Sequence, residues 1–183
     1  MPARHTITVF GSSRPQPGQP EYDLAYDLGN ELAREGFTIC NGGYGGIMEA
    51  SAHGAKDARG KTIGIICSAF AGGKANQWID TTINNTTMVD RLLKLLATGD
   101  GYVVLKGGTG TLLELAAAWE FINKGMLARK PIVVVGGFWD EVVRTLKDEL
   151  AWEGLESATR FVSIASSPTE CVGILTAELS KQK

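Results

Sequence analysis

The stretch "GYVVLKGGTGTLLE", residues 101–114, carries an apolar run into a glycine- and threonine-rich loop with a carboxylate close behind. Gly107, Gly108, Thr109, Gly110 and Thr111 could offer backbone N–H groups to an anion, because glycine lets a ligand approach the main chain closely. A helix starting there would add its positive end, which favours phosphate. A tight strand-to-helix turn with a threonine cap would use the same residues. Glu114 falls in the expected first turn of that helix, where the dipole should keep it ionised. An acid at a helix start is also ordinary stabilisation. A phosphate in the loop would, however, repel this carboxylate, so a site that holds both has a use for the second charge. Cleavage at an anomeric carbon is such a use. Positive charge builds on the sugar as the bond breaks, and a carboxylate beneath that carbon stabilises or attacks it. A nucleoside monophosphate fits, with its phosphate in the loop and C1′ over Glu114.

Such a site needs a cation. "TTMVDRLLKLLATG", 86–99, puts Met88, Arg91 and Leu95 on one helical face, with Leu92, Leu93 and Leu96 as the broader core face. Arg91 can then reach the cleft from the edge of a packed helix. A surface arginine paired with Asp90 or Asp100 is the alternative. Two nucleotide motifs fail. A P-loop places its lysine after the glycines, whereas Lys106 precedes them. "GSSRPQPG", 11–18, lacks the G-x-G-x-x-G dinucleotide fingerprint. Hydride transfer and ATP hydrolysis are therefore not indicated.

The elements that must position these residues alternate regularly. Runs at 5–10, 37–40, 61–66, 101–105, 131–135 and 160–164 are rich in Val and Ile, and several are apolar throughout. Strands buried on both faces look like this in helix-covered parallel sheets. Six helical patterns follow or separate them, at 22–36, 46–60, 86–99, 111–125, 138–154 and 167–183. Gly36, Gly99 and Gly125 stand at helix ends, and Pro168 stands near a first turn. The alternation predicts an α/β fold: a doubly wound, Rossmann-like parallel sheet with helices on both faces, as a single domain over 1–183. Ligands of such sheets bind beyond the carboxyl ends of the strands. Three Gly- or Ser-rich loops, at 11–18, 41–49 and 106–114, fall at that edge.

Composition bounds the partners. The chain has 183 residues, 44% of them apolar, and a formal net charge of −2 without a basic block, which argues against nucleic acid. No apolar run is long enough to span a bilayer, and "MPARHTITVFGSS" shows no signal-peptide core. Cys40, Cys67 and Cys171 are odd in number and unpaired in spacing, so a cytoplasmic protein with reduced thiols is expected. Two histidines, His5 and His53, are too few for a histidine metal site, so no metal and no cofactor is expected.

The motifs "VFGSS", "NGGYGGIMEAS", "MVDR" and "GGTGTLLE" together resemble those of the LONELY GUY (LOG) family over about residues 7–140. Members have carried a lysine decarboxylase label. Characterised ones are cytokinin riboside 5′-monophosphate phosphoribohydrolases, and broader relatives cleave AMP and other nucleoside monophosphates. The resemblance implies that Arg91 and Glu114 are the catalytic pair and that Gly107–Thr111 bind phosphate. It also implies that Gly11, Ser12, Ser13, Gly43, Gly45, Gly46 and Met48 line the nucleotide cleft, with Met88 beside Arg91. A homodimer or larger homo-oligomer is implied as well. Molybdenum-cofactor carrier proteins look similar in fold and loops, so a non-hydrolytic carrier is the alternative. The chain departs from the pattern at Lys106, where the family has proline, at Leu92, where it has lysine, and at Asp90, where many members have glutamate. "AGGKANQWID", 71–80, lacks the glutamate that many phosphoribohydrolases carry there. Pyridoxal-phosphate decarboxylation needs a Schiff-base lysine. Lys106 is the one suggestive lysine, expected instead to add charge to the phosphate pocket or to solvate the loop mouth.

Overall fold

A computed structural model of the chain describes residues 5–70 and 73–181. Seven strands form one all-parallel sheet. They are β1 (Thr6–Phe10), β2 (Thr38–Asn41), β3 (Thr62–Cys67), β4 (Thr81–Asn85), β5 (Gly101–Val104), β6 (Ile132–Val135) and β7 (Val162–Ala165). The helices are α1 (Pro20–Arg34), α2 (Ile47–Asp57), α3 (Met88–Thr98), α4 (Thr109–Asn123), α5 (Asp140–Trp152) and α6 (Pro168–Ser180). Strand order is β4-β3-β2-β1-β5-β6-β7. The chain runs outward from β1 to one edge, then returns to β5 and runs to the other. The doubly wound α/β expectation is thus borne out.

The sheet is covered on both faces because its central strands are largely apolar and bury both of their faces. In β1, Ile7 and Val9 pack with α1, α2 and α6, whereas Phe10 packs with α3, α4 and α5. The same alternation repeats in β5, with Val103 on the first face and Tyr102 and Val104 on the second. Thr8 is the polar member of β1, and its hydroxyl donates to the Leu95 carbonyl at 3.1 Å, so it is buried but satisfied. Helix ends follow their local chemistry. The Thr87 hydroxyl accepts from the Asp90 amide at the start of α3, and the Ser167 hydroxyl accepts from Glu170 ahead of Pro168 in α6.

Three expectations change. β4 falls in a stretch read as neither strand nor helix. It is a polar edge strand, "TTINN", with no apolar run to reveal it. Residues 160 and 161, expected to begin the last strand, instead end a 3₁₀ turn, Glu156–Phe161, before β7. On α3 the buried residues are Arg91, Leu95 and Leu96, while Leu93 is 45% exposed, so the apolar face lies rotated from the one expected. No helix among the described residues is long and apolar enough to cross a membrane.

On the α3–α5 face, the Tyr102 hydroxyl donates to the Leu96 carbonyl at 2.6 Å, and Lys130 Nζ donates to the same oxygen at 3.0 Å. Tyr102→Phe leaves that carbonyl with its lysine donor. Denaturant unfolding should therefore show a loss of about 1 kcal/mol with an unchanged m-value.

Candidate active site

The strand order reverses between β1 and β5, and their loops part there to open a cleft. A cavity of about 790 Å³ occupies this place. The β1 loop lines it with Gly11, Ser12, Ser13 and Arg14. The β5 loop and α4 add Gly108, Thr109, Gly110, Thr111 and Glu114. Tyr44, Met48, Phe70 and Arg91 complete the wall.

No side chain caps α4, so the threonine-cap alternative does not hold. The first helical hydrogen bond runs from the Leu112 amide to the Gly108 carbonyl at 3.0 Å. The amides of Thr109, Gly110 and Thr111 come before it and are left for an anion. Cβ atoms at Gly108 and Gly110 would meet nothing, whereas one at Gly107 would strike the Thr111 side chain. Gly107 therefore shapes the loop from behind, and Gly108–Thr111 form the open cradle.

Arg91 is 9% exposed, and three elements hold it. Its Nε donates to the Ile65 carbonyl at 2.8 Å and its Nη2 to the Gly42 carbonyl at 3.3 Å. Nη1 lies 3.9 Å from Glu114 Oε1. The guanidinium carbon sits 5.5 Å from the Tyr44 ring centroid and 5.7 Å from that of Phe70, within cation–π range. Asp90 is instead bonded to the Thr87 hydroxyl, and Asp100 accepts from the Thr6 amide, so neither pairs with Arg91.

Glu114 differs from expectation in place and charge. It lies in the second turn of α4, beyond the helix start, and its side chain is 16% exposed. Burial pushes its carboxyl up to about 7, while Arg91 pulls it back down. The helix dipole thus does not hold it firmly ionised. A carboxyl that changes charge near neutral pH suits proton transfer or stabilisation of a cation.

The second glycine loop acts mainly as support. Gly46 has φ of +65°, and a Cβ there would strike the backbone of Ser12 and Ser13. Gly45 also abuts Ser13, and the Ile47 amide donates to the Ser12 carbonyl at 2.9 Å. The Gly43 amide donates to Asn41 Oδ1 at 2.8 Å, and the Asn76 amide donates to the Gly43 carbonyl at 2.7 Å. Of this motif, Met48 and Tyr44 line the cavity themselves. Met88 is 52% exposed and lies outside the lining.

Sequence reasoning missed several residues. Gly42 must be glycine, because a Cβ there would collide with Arg91 Nη2. The Tyr44 hydroxyl donates to the Cys67 carbonyl at 3.1 Å and accepts from the Cys67 amide at 2.8 Å, which fixes the ring beside Arg91. Arg14, inside the quoted "GSSR" motif, adds a cation at the mouth. Phe70 lines the cavity just ahead of the 71–80 stretch, of which Ala71 and Gly72 lie outside the described residues. Lys106 does not line this cavity. Its Nζ is 2.6 Å from Glu21 Oε1 on α1 and 5.8 Å from the Phe138 ring, in a neighbouring cavity of about 510 Å³.

Comparison with known proteins matches the SLOG cluster4 family over residues 4–172. The chain belongs to that family. This agrees with the LOG resemblance of its motifs. A cytokinin riboside 5′-monophosphate phosphoribohydrolase of Mycobacterium tuberculosis is 33% identical over 71% of this chain and 70% of its own length. An uncharacterized protein of Archaeoglobus fulgidus is 34% identical over 72% of this chain and 83% of its own. The structure of a molybdenum cofactor binding protein from Rippkaea orientalis superposes with a TM-score of 0.76 at 28% identity, covering 98% of this chain and 99% of that one.

The raised Glu114 carboxyl has a consequence for stability. Its folded pKa, about 7, lies above the ordinary 4.5, so the folded protein holds the proton more tightly. The associated stability is present in full below about 4.5 and is lost as pH rises through about 7. Glu114→Gln should remove this decline and leave the protein on the order of 3 kcal/mol more stable than the parent above pH 7.5. Urea unfolding between pH 5 and 8 measures it, and parallel profiles for the two proteins would contradict the assignment.

Proposed function

We propose that this protein hydrolyses the N-glycosidic bond of nucleoside 5′-monophosphates, of the AMP or cytokinin riboside monophosphate type. The single observation that carries this reading is the Arg91–Glu114 pair beside an uncapped Gly-Thr cradle in one cavity. The phosphate binds the amides of Thr109, Gly110 and Thr111, supported by the Thr109 and Thr111 hydroxyls. Ser12, Ser13 and Arg14 close the site from the β1 loop. The sugar lies over Glu114, and the base extends toward Tyr44, Met48 and Phe70. As the C1′–N bond lengthens, its electrons pass to the base, and the ionised Glu114 carboxylate stabilises the cationic sugar or attacks it. Water supplies the oxygen that ends on C1′ and the proton that ends on the base nitrogen. Arg91 holds the carboxylate in place and lowers its pKa toward the working range. Relatives named as phosphoribohydrolases support the same reading.

Incubation with AMP and with isopentenyladenosine monophosphate should release free base and ribose 5-phosphate. Glu114→Ala should lower kcat by at least ~100-fold, with phosphate affinity largely kept. Because the carboxylate must be ionised, kcat/KM should fall as pH drops below about 7. Absence of cleavage across a panel of nucleoside monophosphates would reject the activity. A rate that rises toward low pH would make Glu114 the acid instead.

The similarity to a molybdenum cofactor binding protein favours one second reading, a carrier that holds a phosphate-bearing ligand without cleaving it. A ligand that co-purifies and stays intact during incubation identifies that case.

We also propose a homodimer. Met88, Val89 and Leu93 on α3 and Leu112 and Leu113 on α4 are exposed, and the two helices approach each other at the Arg91–Glu114 pair. Sedimentation should give the mass of two chains. Val89→Asp combined with Leu93→Asp should shift it to one.

A further inference from the structure

A separate cavity of about 410 Å³ lies on the other side of the sheet from Arg91, between the loop before α1, the two helices α1 and α2, and the turn at Trp78. Its walls are largely aromatic. His53 and Trp78 stack with ring centroids 3.9 Å apart and planes 7° from parallel. Tyr26 meets His53 edge-on at 5.1 Å, and its hydroxyl donates to Asp57 Oδ2 at 2.5 Å. The Trp78 backbone is tied to β3, where the Thr62 hydroxyl donates to its carbonyl at 2.6 Å. These walls are therefore fixed rather than loosely draped.

Two polar features of the cavity lack any partner. Tyr22 is only 5% exposed, yet its hydroxyl makes no hydrogen bond among the described residues. The ring is packed away, whereas the hydroxyl oxygen itself keeps accessible surface and is left to the cavity. Glu49, in the first turn of α2, has neither a hydrogen bond nor an ion pair among the described residues. Asp23 adds a second carboxylate at the rim, and no lysine or arginine lines the space. Burial pushes the Tyr22 phenol up, and the nearby Glu49 and Asp23 charges push it further. The field inside is negative.

An anion is disfavoured by that field. A hard metal ion would want six or more oxygens, and no group of three or more His, Cys, Asp or Glu suited to a metal occurs among the described residues. Aromatic walls combined with the unpaired Glu49 carboxylate, and with Asp23, which accepts only from the Gly18 amide at 3.3 Å, match a different ligand class. We propose that this cavity binds a small organic ammonium ion, with the Tyr26, His53 and Trp78 rings as walls, Glu49 and Asp23 as counter-charges, and the Tyr22 hydroxyl as a hydrogen-bonding group. The site is distinct from the Arg91–Glu114 cavity and does not depend on the reaction proposed there.

Calorimetry on the whole chain tests this with choline and its uncharged carbon isostere, 3,3-dimethylbutan-1-ol. Choline should bind at roughly millimolar concentration or better, and the isostere about tenfold more weakly or worse. Glu49→Gln and Trp78→Leu should each weaken choline binding about tenfold, with the fold checked by circular dichroism. The charged-against-neutral comparison is made on the unaltered protein, so it stands even if a variant fails to fold. No choline binding, equal binding of the isostere, or unchanged affinity in both folded variants would overturn the proposal.

Discussion

A guanidinium buried to the degree of Arg91 must have its donors met, and much of the site follows from how that is done. Two backbone carbonyls, from Ile65 in β3 and Gly42 after β2, take two of its nitrogens. The third faces Glu114 on α4. The arginine therefore ties two strand ends and two helices into one corner. Residue 42 is confined to glycine, because any Cβ would occupy the space of the guanidinium. The Tyr44 and Phe70 rings cover the cation and shield it from water. The Glu114 carboxyl rises because its own burial outweighs the single cation beside it.

The sheet topology explains why these pieces meet. β1 and β5 are neighbours, but the chain leaves them toward opposite edges, so no connection crosses the gap at their carboxyl ends. Three glycine-containing loops converge there. Each contributes a different property: the β1 loop a wall and a cation, the β2 loop a scaffold, and the β5 loop an uncapped helix end. The β1 and β2 loops are locked together by the Ile47 amide on the Ser12 carbonyl and by the close approach of Gly46. The β1 and β5 loops are locked by the Ser12 amide on the Lys106 carbonyl at 3.0 Å. The cavity is thus framed by backbone contacts, which leaves side chains free for ligand.

Much of this was legible in the sequence. Apolar runs and glycine stops marked six of the seven strands and all six α-helices, because central parallel strands and capped helices leave strong local patterns. The polar edge strand β4 leaves none, since it buries little. The cradle and the pair of Arg91 with Glu114 were visible as types and spacing. Their energetics were not. Glu114 looked like a helix-start acid, and only the fold reveals that it lies a turn deeper and out of water. Lys106 shows the opposite error. Next to the glycines it was expected to charge the phosphate pocket or to solvate the loop mouth, yet its Nζ pairs with Glu21 on α1, outside the Arg91–Glu114 cavity. Gly42 was one glycine among many until Arg91 was seen against it.

In the proposed site the cradle at Thr109–Thr111 and the Glu114 carboxyl act together, so that an anion in the first raises the proton affinity of the second. Sulfate, which stays doubly charged throughout, probes this without titrating itself. Calorimetry at pH 7.5 in buffers of different ionisation enthalpy gives the number of protons taken up per sulfate bound. The parent protein should take up a fraction of a proton per sulfate, and Glu114→Gln none. Sulfate binding with no proton uptake in the parent, or with equal uptake in the variant, would contradict it.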